Sequence, residues 1–178
     1  MTHILFFYAM SLCFHLERDN THIQITSTPA SHVTFRISNA GIVVNGTLKV
    51  VITEFNFDPL NLEKSTITAS ADPSTIMTGI AIRDKHLRRK DYFDVDHFSE
   101  ILLRSVQFRK AGKNKFIGDF LLTIKNTTRI VKINFETQRS NGRISYSGTF
   151  QIDRMDFNVG EKSAILENMV SIEFDIVP

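Results

Sequence analysis

Polar and apolar residues alternate with a period of two through most of the chain after Glu17. Val33–Ile37 alternates strictly, and Val131, Ile133 and Phe135 alternate with lysine, asparagine and glutamate. This period, with one apolar face, is typical of half-buried antiparallel strands. The alternation predicts strands at roughly 32–38, 42–57, 65–71, 73–78, 99–110, 114–126, 129–139 and 143–154, with 168–178 as a ninth or closing strand.

Short turn sequences separate these strands and predict an up-and-down meander. The Asn141-Gly142 pair suits a tight hairpin because both residues tolerate positive φ. A sheet of this size either exposes its edges or closes on itself, and closure removes the edges. We therefore expect an all-β fold, a closed antiparallel barrel of about eight strands. Such an interior is either filled by side chains or holds one small ligand.

Residues 78–98 interrupt the strand pattern. Ile80, Asp84 and Leu87 share a helical face, which predicts one short helix within residues 80–90, around Arg83–Lys90, beside a barrel mouth. Five cations in Arg83–Lys90 allow two interpretations. They form an electropositive rim for an anionic head group or membrane surface, or they form a solvated helix face balanced by nearby aspartates.

Composition adds two constraints. The net charge of +2 is too small to indicate a nucleic-acid partner, and we expect none. The chain has 15 phenylalanines and no tryptophan. Excess phenylalanine is typical of ordinary core packing, but a lipid-lined cavity uses the same residue.

The N-terminal apolar run, Ile4–Leu16, is too short to cross a bilayer and has the length of a signal-peptide core. We expect residues 1–22 to be a signal peptide and the protein to be periplasmic or secreted. No lysine or arginine precedes the run, so an N-terminal strand or a misassigned start is the alternative. Cys13 is the only cysteine, so the chain forms no internal disulfide.

Candidate catalytic and metal-binding groups are sparse. Asp84 and His86 could form an acid–base pair, but no G-x-S-x-G motif supplies a nucleophile beside them. Asp94, Asp96 and His97 could be drawn as a metal site, but in an extended segment His97 faces away from the two aspartates. We expect no catalytic residue, metal or cofactor. Arg154, between Asp153 and Asp156, is expected to form a structural ion pair.

Several motifs occur in an order that resembles the YceI-like family of bacterial lipid-binding proteins. They are Ser31–Ile37 with Gly41 and Gly46, Thr78-Gly79, Arg83–Arg88, Asp91–Val95, Gly118–Thr128 and Arg154–Gly160. The resemblance covers the chain from about Ser31 to its end, within a domain expected at 23–178. Asn126 and Asn158 stand where the family usually has glycine, and asparagine tolerates the left-handed backbone that both turns need.

The resemblance implies a lipocalin-like barrel that binds, carries or stores a polyisoprenoid, an isoprenoid quinone or another long-chain lipid without transforming it. It also implies export to the periplasm. The strand faces and the predicted helix supply the candidate ligand-binding residues, which are Phe35, Leu48, Leu87, Phe93, Phe120, Leu122, Phe135, Tyr146, Gly148, Phe150 and Phe174. The candidate head-group residues are His86, Arg88 and Arg89, and the basic segment is compatible with transient membrane contact.

Two other functions stay open at this point. One is an enzyme that acts on a lipid head group through Asp84 and His86; the other is a filled barrel that acts through protein contacts. The sequence also predicts that Gly148→Leu adds bulk inside the barrel and lowers lipid retention without unfolding it, because Gly148 shares a face with Tyr146 and Phe150.

Overall fold

The computed structural model describes residues 31–177 and is a closed, eight-stranded antiparallel barrel. The expected signal peptide, residues 1–22, lies outside the described residues. The strands are β1 Ser31–Asn39, β2 Ile42–Asn56, β3 Thr66–Ala71, β4 Ile101–Gly112, β5 Lys115–Ile124, β6 Thr127–Ser140, β7 Arg143–Asp153 and β8 Met169–Ile176. Each strand pairs with the next, and β8 pairs with β1. The predicted all-β barrel is therefore confirmed, and residues 168–178 contain the closing strand.

The strand predicted at 73–78 is wrong. Pro73–Thr75 forms a 3₁₀ helix instead, and the Asp72 side chain accepts a hydrogen bond from the Ser74 amide at its start. Proline cannot donate a ladder hydrogen bond, and the aspartate cap favours a helical turn. An isolated bridge between Met77 and Thr47, and a hydrogen bond from the Lys49 amide to the Thr75 hydroxyl at 3.1 Å, join this segment to β2.

The predicted helix is present as α1, Ala81–Leu87, which begins two residues before Arg83 and ends three residues before Lys90. Two further 3₁₀ helices are Leu62–Lys64, between β2 and β3, and Arg154–Phe157, after β7. Within 31–177, no helix is long and apolar enough to cross a membrane.

The up-and-down topology gives the barrel two distinct ends. The helix end carries the β1–β2 turn, α1, the β5–β6 turn and residues 154–168. The opposite end, here called the aromatic end, carries the β2–β3 connection and the turns after β4 and β6. At the turn after β6, Asn141 and Gly142 have φ values of 49° and 77°, as the Asn-Gly pair predicted. Asn158, at the helix end, also has a left-handed backbone. In the β5–β6 turn the left-handed residue is Lys125, with a φ of 54°, and not Asn126, so that expectation is wrong.

A bulge in β2 changes which residues face the interior. Up to Ile52 the even-numbered residues point inward, and the register against β3 shifts between Ile52 and Glu54. A bulge adds one residue to one strand, so the side-chain alternation resumes with the opposite parity. Phe55 and Phe57 therefore both point into the barrel, and this places two aromatic rings at the aromatic end.

Candidate functional site

The barrel encloses a cavity of about 520 Å³, within the size range of small-molecule sites. Aliphatic and aromatic side chains from all eight strands form nearly the whole wall. Side chains of α1 contribute at the helix end, where Ile82 lines the cavity although it is 80% exposed. Because an exposed side chain can line a cavity only at its opening, the cavity opens at the helix end beside α1.

Interlocked aromatic rings fill the aromatic end. The Phe57 ring makes edge-to-face contacts with Phe108, Phe116, Phe135 and Tyr146, at centroid distances of 5.1, 5.0, 5.3 and 5.8 Å. Phe57, Phe108 and Phe116 lie beyond the cavity wall. Burial in this cluster raises the pKa of the Tyr146 phenol. Among the described residues, the cavity is therefore closed at the aromatic end and open at the helix end.

Glycines create room for large rings in the wall. Phe35 lies opposite Gly46 in the β1–β2 register, and Phe174 lies opposite Gly148 in the β7–β8 register. A β-carbon on Gly46 would lie 2.2 Å from the Phe35 ring, and one on Gly148 would lie 2.8 Å from the Phe174 ring. Each ring thus lies against the backbone of the neighbouring strand. This arrangement keeps the bulk of phenylalanine close to the wall and leaves the centre open.

The expectation for Gly148 needs correction. Gly148 does not line the cavity, because the Phe174 ring covers it. A β-carbon at this position would also lie 2.4 Å from the main-chain oxygen of Asn134, which cannot move without distorting β6. Gly148→Leu would therefore strain the sheet rather than fill the cavity.

We predict that Gly148→Ala lowers the free energy of unfolding by about 2 kcal/mol, because overpacking against a backbone atom forces the strands apart. Urea unfolding followed by circular dichroism measures the change. Thr149→Ala, at the exposed neighbouring position, is the control and should change stability by less than about 1 kcal/mol. Equal stability of the two variants would contradict the steric interpretation of Gly148.

The other candidate ligand-binding residues all line this cavity. They are Phe35, Leu48, Leu87, Phe93, Phe120, Leu122, Phe135, Tyr146, Phe150 and Phe174. The predicted inward register of the strands is thus confirmed, and contact of these side chains with a ligand stays a prediction. Sequence reasoning missed further wall residues, among them Val33, Ile82 and Ile152. The alternation at Val33 and Ile152 carried a signal, whereas Ile82 is recognisable only from the position of α1.

Hydrogen bonds to Thr78 fix the start of α1. The buried Asp84 carboxylate accepts hydrogen bonds from the Thr78 amide, at 2.8 Å, and from the Thr78 hydroxyl. Arg83 donates from Nε to the same hydroxyl, at 2.7 Å, and from a terminal nitrogen to the Thr78 carbonyl, at 2.8 Å. These bonds hold α1 beside the cavity opening, with Ile82 and Arg83 in its wall.

The proposed acid–base pair is not formed. Asp84 is engaged with Thr78, while His86 Nε2 lies 2.9 Å from Asp91 Oδ2. The hydrogen bond with His86 holds the pKa of the Asp91 carboxyl below its usual value. His86 also packs edge-to-face on Tyr92 and lines the cavity. The enzyme hypothesis therefore loses the carboxylate–imidazole contact on which it depended.

The head-group candidates separate into two groups. His86 lines the cavity, but Arg88 and Arg89 do not. Arg88 donates to the Ile76 carbonyl at 3.1 Å and ties the end of α1 to the segment before it, and Arg89 is exposed. Arg83 and Arg154 line the cavity instead, and Arg83 is the half-buried cation placed to meet a polar group there.

Arg154 forms no ion pair with its sequence neighbours, so that expectation is wrong. The side chain is 3% exposed and donates to the carbonyls of Val159, Glu167 and Leu166 at 2.9, 3.0 and 3.4 Å. Asp153 instead caps the following 3₁₀ helix by accepting from the Met155 amide. Arg154 thus joins residues 159–168 to the end of β7, which fixes one side of the opening.

The third candidate site, the possible metal site at Asp94, Asp96 and His97, contains an aspartate–histidine contact. Asp94 is buried, and its Oδ1 lies 2.8 Å from His97 Nδ1. Across 31–177, no group of three or more histidine, cysteine, aspartate or glutamate residues is arranged to hold a metal ion. The contact closes the turn that follows α1, where the His97 amide also donates to the Asp94 carbonyl at 3.0 Å.

Comparisons with known proteins place this fold. The family model described as the YceI-like domain matches residues 25–177. A UPF0312 protein of Photorhabdus laumondii is 30% identical over 158 residues, which cover 82% of each chain. The crystal structure of Burkholderia cenocepacia BcnA is similar with a TM-score of 0.76 at 23% identity, covering 83% of this chain and 96% of that one.

A second solved structure, a polyisoprenoid-binding domain from Saccharophagus degradans implicated in plant cell wall breakdown, has a TM-score of 0.63 at 13% identity. The structural alignment covers 83% of this chain and 93% of the Saccharophagus degradans chain. At these identities the structural likenesses support the fold alone. The family match spans most of the chain and agrees with the observed closed barrel and with the ordered motifs. The chain therefore belongs to the YceI-like domain family.

Proposed function

We propose that the protein binds one long-chain amphiphilic lipid, of the polyisoprenoid or isoprenoid-quinone class, and carries or stores it without chemical change. The observation that carries the proposal is the apolar cavity, which aromatic rings close at one end and which opens beside α1 at the other. The similarity to a domain described as polyisoprenoid-binding supports the same ligand class.

The apolar wall provides the driving force for tail binding. Transfer of apolar surface from water is favourable by about 25 cal/mol per Å². A polyprenyl chain exposes such surface along its whole length, and the cavity wall offers almost only hydrocarbon in return. Because apolar burial is non-directional, we expect the protein to tolerate tails of different chemical detail.

The blind end orients the ligand. A tail that enters from the helix end meets the Phe57 cluster and stops there, so the polar head group stays at the opening. Arg83, His86 and Arg154 line the cavity near that opening. Donor groups of Arg83 and His86 suit a phosphate, a carboxylate or the carbonyl oxygens of a quinone, whereas the Arg154 guanidinium is engaged with main-chain carbonyls. Arg88 and Arg89 act more distantly, through the electrostatic field.

The proposal includes export. A protein with an apolar cavity would be useful in a compartment where apolar lipids must cross water, such as the periplasm. The apolar run at Ile4–Leu16 also fits a signal peptide. The mature protein would then start after about residue 22 and act in the periplasm or outside the cell. The enzyme hypothesis is not retained, because the Asp84–His86 contact on which it rested is not formed.

The proposal is tested by native mass spectrometry of protein purified from its own host without detergent. We expect one adduct per barrel with the mass of a long-chain isoprenoid, which solvent extraction then releases for identification. Protein that is stripped of lipid and incubated with a defined polyprenyl phosphate should regain one molecule and return it unchanged. Absence of an adduct together with failure of this uptake would refute lipid binding, and recovery of an altered lipid would refute the non-catalytic role.

A further inference from the structure

Exposed aliphatic side chains concentrate around the cavity opening. Six of them form what we call the apolar rim: Ile42, Val43, Met77, Ile80, Ile82 and Ile165. Ile42, at the tip of the β1–β2 turn, is 70% exposed, and Ile82 on α1 is 80% exposed. Single exposed aliphatic residues are normal, but a cluster around one opening indicates a contact surface.

Backbone hydrogen bonds join the segments that carry the rim. The Ala40 amide donates to the Ile165 carbonyl at 2.7 Å, which holds Ile165 beside the β1–β2 turn. Met77 and Thr47 exchange two backbone hydrogen bonds, at 2.8 and 3.0 Å, which hold the segment before α1 against β2. Ile82 then belongs both to the rim and to the cavity wall.

Exposed cations lie beside the part of the rim that α1 carries, whereas the segment of Ile165 has the exposed carboxylates Glu161 and Glu167. Lys85 follows Ile82 by one helical turn and is exposed, and Arg89 and Lys90, just after the end of α1, are exposed too. In the same segment Asp84 and Asp94 are buried, and Asp91 is paired with His86, which leaves Asp96 as the exposed carboxylate without a partner among the described residues. The outward face of this segment is therefore positively charged.

We propose that the apolar rim and these cations dock the protein on an anionic lipid bilayer, so that a lipid tail passes between membrane and cavity without crossing water. This inference rests on the proposed function. Aliphatic side chains beside lysine and arginine match the boundary between acyl chains and anionic head groups. The rim lacks aromatic residues, which dominate the energetics of protein–protein interfaces, and this favours a bilayer over a protein partner.

The test is co-sedimentation with vesicles of phosphatidylglycerol and phosphatidylethanolamine, compared with vesicles of phosphatidylcholine alone. We expect binding to the anionic vesicles, weakened by salt, and about tenfold weaker binding of Ile42→Ser/Ile165→Ser. Neither residue lines the cavity, so lipid already held should stay bound. Val51→Ser/Val106→Ser, on the outer barrel wall, is the matched control and should bind as the native protein does.

A second variant tests the charges. Lys85→Gln/Arg89→Gln/Lys90→Gln should remove the preference for anionic vesicles and most of the salt dependence. The proposal is overturned if native protein ignores anionic vesicles, if the rim and control variants bind equally, or if the rim substitutions convert a dimer into a monomer. A protein that carries lipid yet shows one of these results refutes docking alone, whereas a protein that never carries lipid refutes the proposed function.

Discussion

Ile152→Trp is expected to expel the lipid while the barrel still folds. Ile152 lies on β7, is half-buried, and lines the cavity opposite Val170 of β8. A tryptophan there occupies space that the tail would use, while its extra bulk points into a cavity rather than into the backbone. We expect lipid retention to fall by at least about tenfold. The free energy of unfolding should fall by about 1–3 kcal/mol, the usual cost of added core volume. Native mass spectrometry and thermal unfolding measure the two effects.

Gln151→Trp is the matched control, because Gln151 is the preceding residue on the same strand and its side chain faces outward. Because successive side chains of a strand point to opposite faces, Gln151→Trp adds the same aromatic residue to β7 without adding bulk to the cavity. Full lipid retention in a folded Ile152→Trp protein, or equal loss in both variants, would show that the lipid lies elsewhere.

The period of two made the strands and their inward faces predictable. Phe135 and Phe150 lie on strands whose neighbouring residues are polar, so the sequence itself distinguishes inside from outside. The motif order made the family predictable. The strand prediction for residues 73–78 failed because the apolar residues Ile76 and Met77 are typical of a strand. Pro73 and the Asp72 cap instead impose a helical turn.

Features that depend on contacts between strands were not predictable. The bulge between Ile52 and Glu54 reverses the alternation and brings Phe57 into the aromatic end, and no turn residue marks it. Likewise, Gly148 shares a sequence face with Tyr146, but only the register with β8 reveals that the Phe174 ring covers it. The blind end and the correct site for added bulk both follow from these cross-strand contacts.

Arg154 is a third case, because its partners are main-chain carbonyls and the Asn168 side chain, which sequence spacing does not indicate. Arg154→Leu is expected to lower the free energy of unfolding by about 3 kcal/mol, since each buried acceptor left without a donor costs about 1–3 kcal/mol and some will find water at the opening. Removal of a buried cation opposes this loss, but the carbonyls of Val159 and Glu167 remain in place without their donor. For a chain of this length, the midpoint of thermal unfolding should fall by roughly 10 °C.

Two further variants separate the hydrogen-bonding role of Arg154 from its charge. Arg154→Lys keeps the charge but loses the planar set of donors, so its stability should lie between those of the native protein and Arg154→Leu. Arg129→Leu removes an exposed arginine that donates to the neighbouring Thr128 carbonyl, and should change stability by less than about 1 kcal/mol. Because Arg154 fixes residues 159–168 at the opening, Arg154→Leu should also release bound lipid faster than Arg129→Leu. If Arg154→Leu and Arg129→Leu unfold at the same temperature, Arg154 does not hold this end of the barrel together.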